Sequence, residues 1–146
     1  MKPKTAFWDS SALAPLCCQQ PSSARARQLA RRLTRQIVWW GTTTEITSAL
    51  ARLDREGRLT PGLLRQHLEQ LERLQNGWIE VLPVEQVRLT AADLLLRYPL
   101  RGADSLQLAA ALAWCKQKPK RRPFVCFDER LAQVAEEVGF EVYRFE

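Results

Sequence analysis

Five short apolar runs alternate along the chain with segments of helical periodicity. They are TAFW (5–8), QIVWW (36–40), WIEVLP (78–83), FVCF (124–127) and FEVYRF (140–145). Each has the length of a strand, and QIVWW is rich in β-branched and aromatic residues. TTTEITSALARLDREG (42–57) puts Ile46, Ala49, Leu50 and Leu53 on one stripe and stops at Gly57. TPGLLRQHLEQLERLQNG (60–77) does the same with Leu64, Leu68 and Leu71, after a Thr60 cap and Pro61 in the first turn. Further helices are expected from Ser10–Ser11 to before Pro21, and over 22–35, 85–98, 103–118 and 129–139. Strands separated throughout by helices predict an α/β fold, with a parallel sheet covered by helices on both faces. One domain over 1–146 suits the length, and no linker, repeat or low-complexity segment divides it.

Composition narrows the function. The chain is 46% hydrophobic and 26% charged, which excludes wholesale disorder. No apolar run approaches the roughly 20 residues of a membrane span. MKPKTAFWDSS lacks the apolar stretch of a signal peptide, so a cytoplasmic protein is expected. Cys17, Cys18, Cys115 and Cys126 form no C-x-x-C pair, and His67 is the one histidine, so a zinc site is not expected. Free thiols are the better reading. The net charge of +6 suits a polyanion or an acidic partner.

Acids recur where strands hand over to helices. Asp9 closes TAFW and Asp128 closes FVCF. Glu45 lies in the first turn after QIVWW, and Asp104 opens the Ala-rich helix after Arg101-Gly-Ala. Each has a structural explanation. Thr42-Thr43-Thr44-Glu45 fits a capping box, Asp104 with Gln107 fits the same logic, and Asp9 and Asp128 can cap their own helices. Together they say more. In a parallel α/β sheet the strand-to-helix junctions share the carboxyl edge, where ligands bind. Carboxylates gathered there repel one another unless a cation compensates. Oxygen donors without histidine or thiolate suit Mg2+ or Mn2+.

At this point the chain resembles a known family. Asp9-Ser-Ser-Ala-Leu, Glu45 in T-T-E-I-x-S-A-L, Arg101-Gly-Ala-Asp104-Ser-Leu-Gln-Leu-Ala and Phe124-Val-Cys-Phe-Asp128-Glu-Arg-Leu look like the acidic signatures of PIN-domain nucleases. More narrowly, length and spacing resemble the VapC toxins of toxin–antitoxin pairs. The resemblance covers essentially the whole chain. It implies a PIN-like three-layer α/β/α sandwich with a central sheet of about five strands in order 3-2-1-4-5, placing Asp9 and Asp128 on neighbouring strands. It implies that Asp9, Glu45, Asp104 and Asp128 hold Mg2+ or Mn2+ and that the protein cleaves RNA. Asp128 is the acid expected to act indirectly, through a water. Such a metal activates a water against the phosphodiester and neutralises charge on the phosphate. No histidine is needed, in line with His67 as ordinary surface. The family implies a cognate antitoxin and a homodimer. Two departures stand out: Cys126 where the family often has Thr or Ser, and Gln107 where it often has His.

Other residues receive weaker assignments. Ser10 and Ser11 are candidates to bond Asp9 or a phosphate, or to cap the helix. Arg101 is the cation expected nearest the metal. Arg25, Arg27, Arg31, Arg32 and Arg35 load one helix, and Lys116, Lys118, Lys120, Arg121 and Arg122 one loop. These are either solvated faces or phosphate contacts that position RNA without reading sequence. Leu13, Leu16, Leu29 and Leu33 are candidates for an antitoxin groove or for core. Trp39, Trp40 and Trp114 are expected in the core, with Trp8 and Trp78 as outside candidates for base stacking. A non-catalytic RNA- or protein-binding domain is the alternative. A phosphoryl transfer through an Asp9 nucleophile is disfavoured, because that chemistry wants a second Asp where Ser11 stands.

Overall fold

The structure, a computed structural model, describes residues 4–146. Its strands are β1 (Thr5–Trp8), β2 (Arg35–Trp39), β3 (Ile79–Val81), β4 (Pro123–Val125) and β5 (Glu141–Tyr143). Its helices are α1 (Ser10–Cys17), α2 (Ser23–Arg32), α3 (Thr42–Arg55), α4 (Leu63–Gln75), α5 (Glu85–Arg97), α6 (Gly102–Trp114) and α7 (Glu129–Val138). The strands form one parallel sheet in the order β3-β2-β1-β4-β5. This is the order that the resemblance implied. β1 is central, with Phe7 opposite Ile37 of β2 and Phe124 of β4.

Alternation along each strand divides the core into two layers. Phe7, Ile37 and Phe124 face α5, α6 and α7, where they meet Leu94, Leu108 and Leu131. The Phe7 and Phe124 rings stack with centroids 5.4 Å apart. Ala6, Trp8, Val38 and Val125 face the other way, onto Leu13, Leu29, Ile46, Leu50 and Leu71 from α1 to α4. Each large side chain so buried contributes about 2–3 kcal/mol. No helix among the described residues is long and apolar enough to cross a membrane.

Several expectations are corrected. Gly62 takes a left-handed φ of 85°, so Thr60-Pro61-Gly62 is a turn and α4 starts only at Leu63. α6 stops at Trp114 because Lys116 and Gln117 go left-handed, and the Gln117 amide turns back to Leu112 O at 2.8 Å. Trp40 lies past the end of β2 and is 54% exposed rather than core. Trp8 and Trp78 are buried, which removes both as stacking platforms. Leu13, Leu29 and Leu33 are core and cannot line a groove. His67 is half-buried, not plain surface.

Candidate functional site

A parallel sheet puts all its strand-to-helix junctions at one edge. There Asp9, Glu45, Asp104 and Asp128 line a single open cleft of about 210 Å3, together with Ser10, Ser11, Ala14, Ile46 and Ala49. The four acids come from the ends of β1 and β4 and the first turns of α3 and α6. The cleft lies past the ends of the neighbouring strands β1 and β4, whose following helices α1 and α7 pack on opposite faces of the sheet, as at a switch point.

Asp9 occupies the N-cap position of α1, yet its side chain makes no cap bond. Its backbone does the local work. Asp9 N–H donates to Val125 O at 3.1 Å, and Asp9 O accepts from Ala12 and Leu13 N–H. The carboxylate is left for the cleft. It is 2% exposed, and its one direct side-chain partner among the described residues is the Ser11 hydroxyl, 2.7 Å from Oδ1. Burial pushes its pKa up to about 7, and the Glu45 and Asp128 charges add to the rise. Ser11 only partly offsets them.

Glu45 sits in the first turn of α3 but does not close a capping box; Gly41 is the N-cap and lacks any side-chain cap bond. Its oxygens are held from elsewhere. Ser10 Oγ donates to Oε1 at 2.9 Å, and Gln107 Nε2 donates to Oε2 at 3.0 Å. Burial raises its pKa, and Asp104 raises it further. Asp104 is raised as well, first by burial and then by Asp128. The nearby Arg101 and Arg130 charges pull it back. Both arginines line an adjoining cleft of about 380 Å3 whose wall includes Asp104 and Asp128. Asp128 is the one acid that caps its helix, with Oδ1 accepting from Leu131 N–H at 2.9 Å.

The structure adds residues whose roles the sequence did not disclose. Gln107 is 1% exposed and bridges Glu45 to Thr42, whose Oγ1 accepts from Nε2 at 3.0 Å. Its Oε1 has no hydrogen-bond partner among the described residues. Gln107 therefore serves Glu45, 62 residues away, rather than a cap with Asp104. Ser11 Oγ accepts from the Phe127 and Asp128 amides at 2.9 and 3.1 Å. Donating one bond and accepting two, that hydroxyl is saturated. Cys126 lies 3.9 Å from it and points to Asp128 O. Here the hydroxyl contact to the last acidic loop comes from Ser11, not from position 126.

What the acids can hold follows from their chemistry. None of the ion pairs among the described residues involves them. They are oxygen donors outside any ion pair, with Asp9 buried, Glu45 and Asp104 half-buried and Asp128 exposed, which fits a hard divalent cation. Among the described residues, however, no three acids, thiols or imidazoles close tightly enough to form a ready cage. The cations of the 116–122 loop do not approach the cleft. They precede β4 and so stand at the opposite edge of the sheet.

No family model matches the sequence, and no curated protein matches it either. Solved structures match the fold. A chain of a toxin–antitoxin complex from Klebsiella pneumoniae superimposes with a TM-score of 0.61 at 12% identity, covering 86% of this chain and 88% of that one. A chain of FitAB bound to an IR36 DNA fragment gives a TM-score of 0.64 at 14% identity, covering 97% of this chain and 95% of that one. At these identities the likeness is one of fold: the chain shares its architecture with a chain of a toxin–antitoxin complex and with a chain of FitAB.

Proposed function

We propose that the protein is a metal-dependent endoribonuclease of the VapC type, the toxin of a toxin–antitoxin pair. The observation that carries this reading is the gathering of Asp9, Glu45, Asp104 and Asp128, none of them in an ion pair, around one cleft. Carboxylates displaced upward by burial and by one another are a poor way to stabilise a fold and a good way to hold a cation. Asp9, Glu45, Asp104 and Asp128 would hold Mg2+ or Mn2+, which when bound supplies charge neutralisation and activation of the attacking water. Ser11 and Ser10 with Gln107 fix the directions of Asp9 and Glu45. Arg101 and Arg130 border Asp104 and are placed to meet a phosphate of the RNA.

The occurrence of one structural neighbour in a toxin–antitoxin complex supports an antitoxin partner. A groove of about 760 Å3 between the α1–α2 turn, α3 and α4 suits an inserted segment. It shares Ala49 with the acidic cleft, so an occupant would reach the acids. A homodimer accords with the exposed Leu82, Val84, Leu89 and Leu96 around the start and outer face of α5.

Asp9→Asn and Asp104→Asn test the catalytic reading. Both are expected to remain folded and to lose Mg2+- or Mn2+-dependent RNA cleavage; undiminished cleavage by both would refute it. The lack of a ready cage favours one alternative, an RNA- or protein-binding domain that does not cut. Calorimetric titration separates the two, since heat of Mn2+ binding lost in Asp9→Asn supports the nuclease.

A further inference from the structure

Several of the cations read as phosphate contacts or solvated faces are grouped with Lys4 at the end of the sheet opposite the cleft. Lys4 directly precedes β1, Arg35 opens β2, and Lys120, Arg121 and Arg122 directly precede β4. β2, β1 and β4 are neighbours, with Thr5 opposite Arg35 and Phe7 opposite Phe124, so these strand starts lie side by side. Strand spacing puts successive starts about 5 Å apart. Arg35 N–H donates to Lys4 O at 3.1 Å, which fixes that pair of starts together. Arg32, in the last turn of α2, joins the same edge.

All six side chains are exposed, and none belongs to an ion pair among the described residues. Two acids adjoin it: Glu141 at the start of β5, whose carboxylate already accepts from the Tyr143 hydroxyl, and Glu137, which shares a pocket with Gln117 and Pro119 of the loop. The loop that carries half of the group is held in place. Arg121 takes a left-handed φ of 65°, the Arg122 amide closes the turn onto Pro119 O at 2.9 Å, and the Arg122 guanidinium lies 5.2 Å over the Trp114 ring. A non-glycine residue in that region costs free energy that the fold must offset. Complementing helix dipoles accounts for Arg32 alone. That effect fades beyond the last helical turn, and Lys4, Arg35 and Lys120–Arg122 lie outside any helix.

We propose that this edge is a second RNA-binding surface, one that grips the phosphate backbone of an RNA long enough to pass from the acidic cleft around the sheet. The inference rests on the ribonuclease reading of the cleft. β1 spans four residues, so the two edges are separated by at least roughly 13 Å. A short oligonucleotide seated in the cleft therefore does not touch the basic edge, while a long structured RNA does.

The test uses two double variants on different strands, Arg35→Ala with Lys120→Ala, and Lys4→Ala with Arg122→Ala. Their unfolding midpoints are checked against the parent. Binding of a long structured transcript is measured across a salt series, and cleavage of a short single-stranded oligonucleotide is measured in parallel. For each double variant, affinity for the transcript is expected to fall roughly tenfold at low salt, and the log–log salt slope to become shallower by about two. Short-oligonucleotide cleavage stays at the parent rate. Unchanged transcript affinity and slope in both variants overturns the surface while leaving the nuclease standing. Equal loss on the short oligonucleotide also overturns it, because the edge would then act through the fold. A parent that binds the transcript through this edge yet cuts nothing refutes the nuclease and keeps the surface.

Discussion

The Ser11 hydroxyl, 2.7 Å from Asp9 Oδ1, is the link between the first acid and the loop that carries the last. By accepting from the Phe127 and Asp128 amides it ties α1 to the end of β4, 116 residues away. It also works against the burial that drives the Asp9 pKa upward. Ser11→Ala would leave two amides without their acceptor and the carboxylate without its donor. The expected loss is about 1–3 kcal/mol in urea unfolding. Mn2+ affinity should fall as well, and more at pH 6 than at pH 8, because the Asp9 pKa rises further. A variant as stable as the parent would show that water replaces the hydroxyl at no cost.

Asp9 makes stability depend on pH in a direction opposite to the usual carboxylate. Its pKa is raised from 3.8 to about 7 in the folded protein. Between these values the folded state binds more protons than the unfolded one, so unfolding free energy falls as pH rises. The penalty is absent below about pH 4 and complete above about pH 7. At about 1.4 kcal/mol per pH unit its upper bound is roughly 4 kcal/mol. Glu45 and Asp104 are shifted in the same direction. Metal-free Asp9→Asn should therefore be more stable than the parent at pH 8 and nearly equal to it at pH 4. Urea titrations at the two pH values check this, and Mn2+ should close the gap by stabilising the parent.

The strands and the edge that gathers the acids were legible because they depend only on local pattern, whereas the strand order came from the resemblance. TAFW, QIVWW and FVCF announce strands, and any acid just past a parallel strand arrives at the same edge. What escaped is what chain-distant contacts decide. Ser10 holds Glu45 across 35 residues and Gln107 does so across 62, and neither separation is visible in periodicity. Helix ends slipped where the backbone went left-handed, at Gly62 and again at Lys116 and Gln117, where no glycine marks the stop. Trp40 reads as core within QIVWW but lies one residue beyond the strand's last pair. The basic segments were legible as charge. Their edge was implied by the same topology that places the acids.

Gln107 gives a way to test whether Glu45 is oriented rather than merely present. Nε2 donates to both Glu45 and Thr42 in a buried setting, so Gln107→Leu removes both bonds while keeping bulk. Groups that orient a ligand are worth roughly ten- to a hundred-fold in metal affinity. A loss of that size in Mn2+ calorimetry is expected, with part of it recovered in Gln107→His, whose ring N–H can donate to Glu45. A Leu variant that binds Mn2+ like the parent would confine Gln107 to packing.

Asp9 and Asp128 stand at equivalent junctions, yet only Asp128 caps its helix. Substitution therefore separates capping from charge. Asp128→Ala removes the acceptor for Leu131 N–H and should cost about 1 kcal/mol, whereas Asp128→Asn keeps a side-chain oxygen for that bond and should cost a few tenths at most. Both remove the same negative charge from the cleft wall. If Asp128 serves the reaction through its charge, the two variants lose RNA cleavage to the same extent despite their different stabilities. If it serves only by seating α7, cleavage follows stability and Asp128→Asn retains it. Asp9 allows no such division, because its side chain makes no cap bond to preserve. Asp9→Asn should therefore abolish cleavage without weakening α1. Thermal unfolding and single-turnover cleavage on the three variants together measure how far each acid is committed to the cleft.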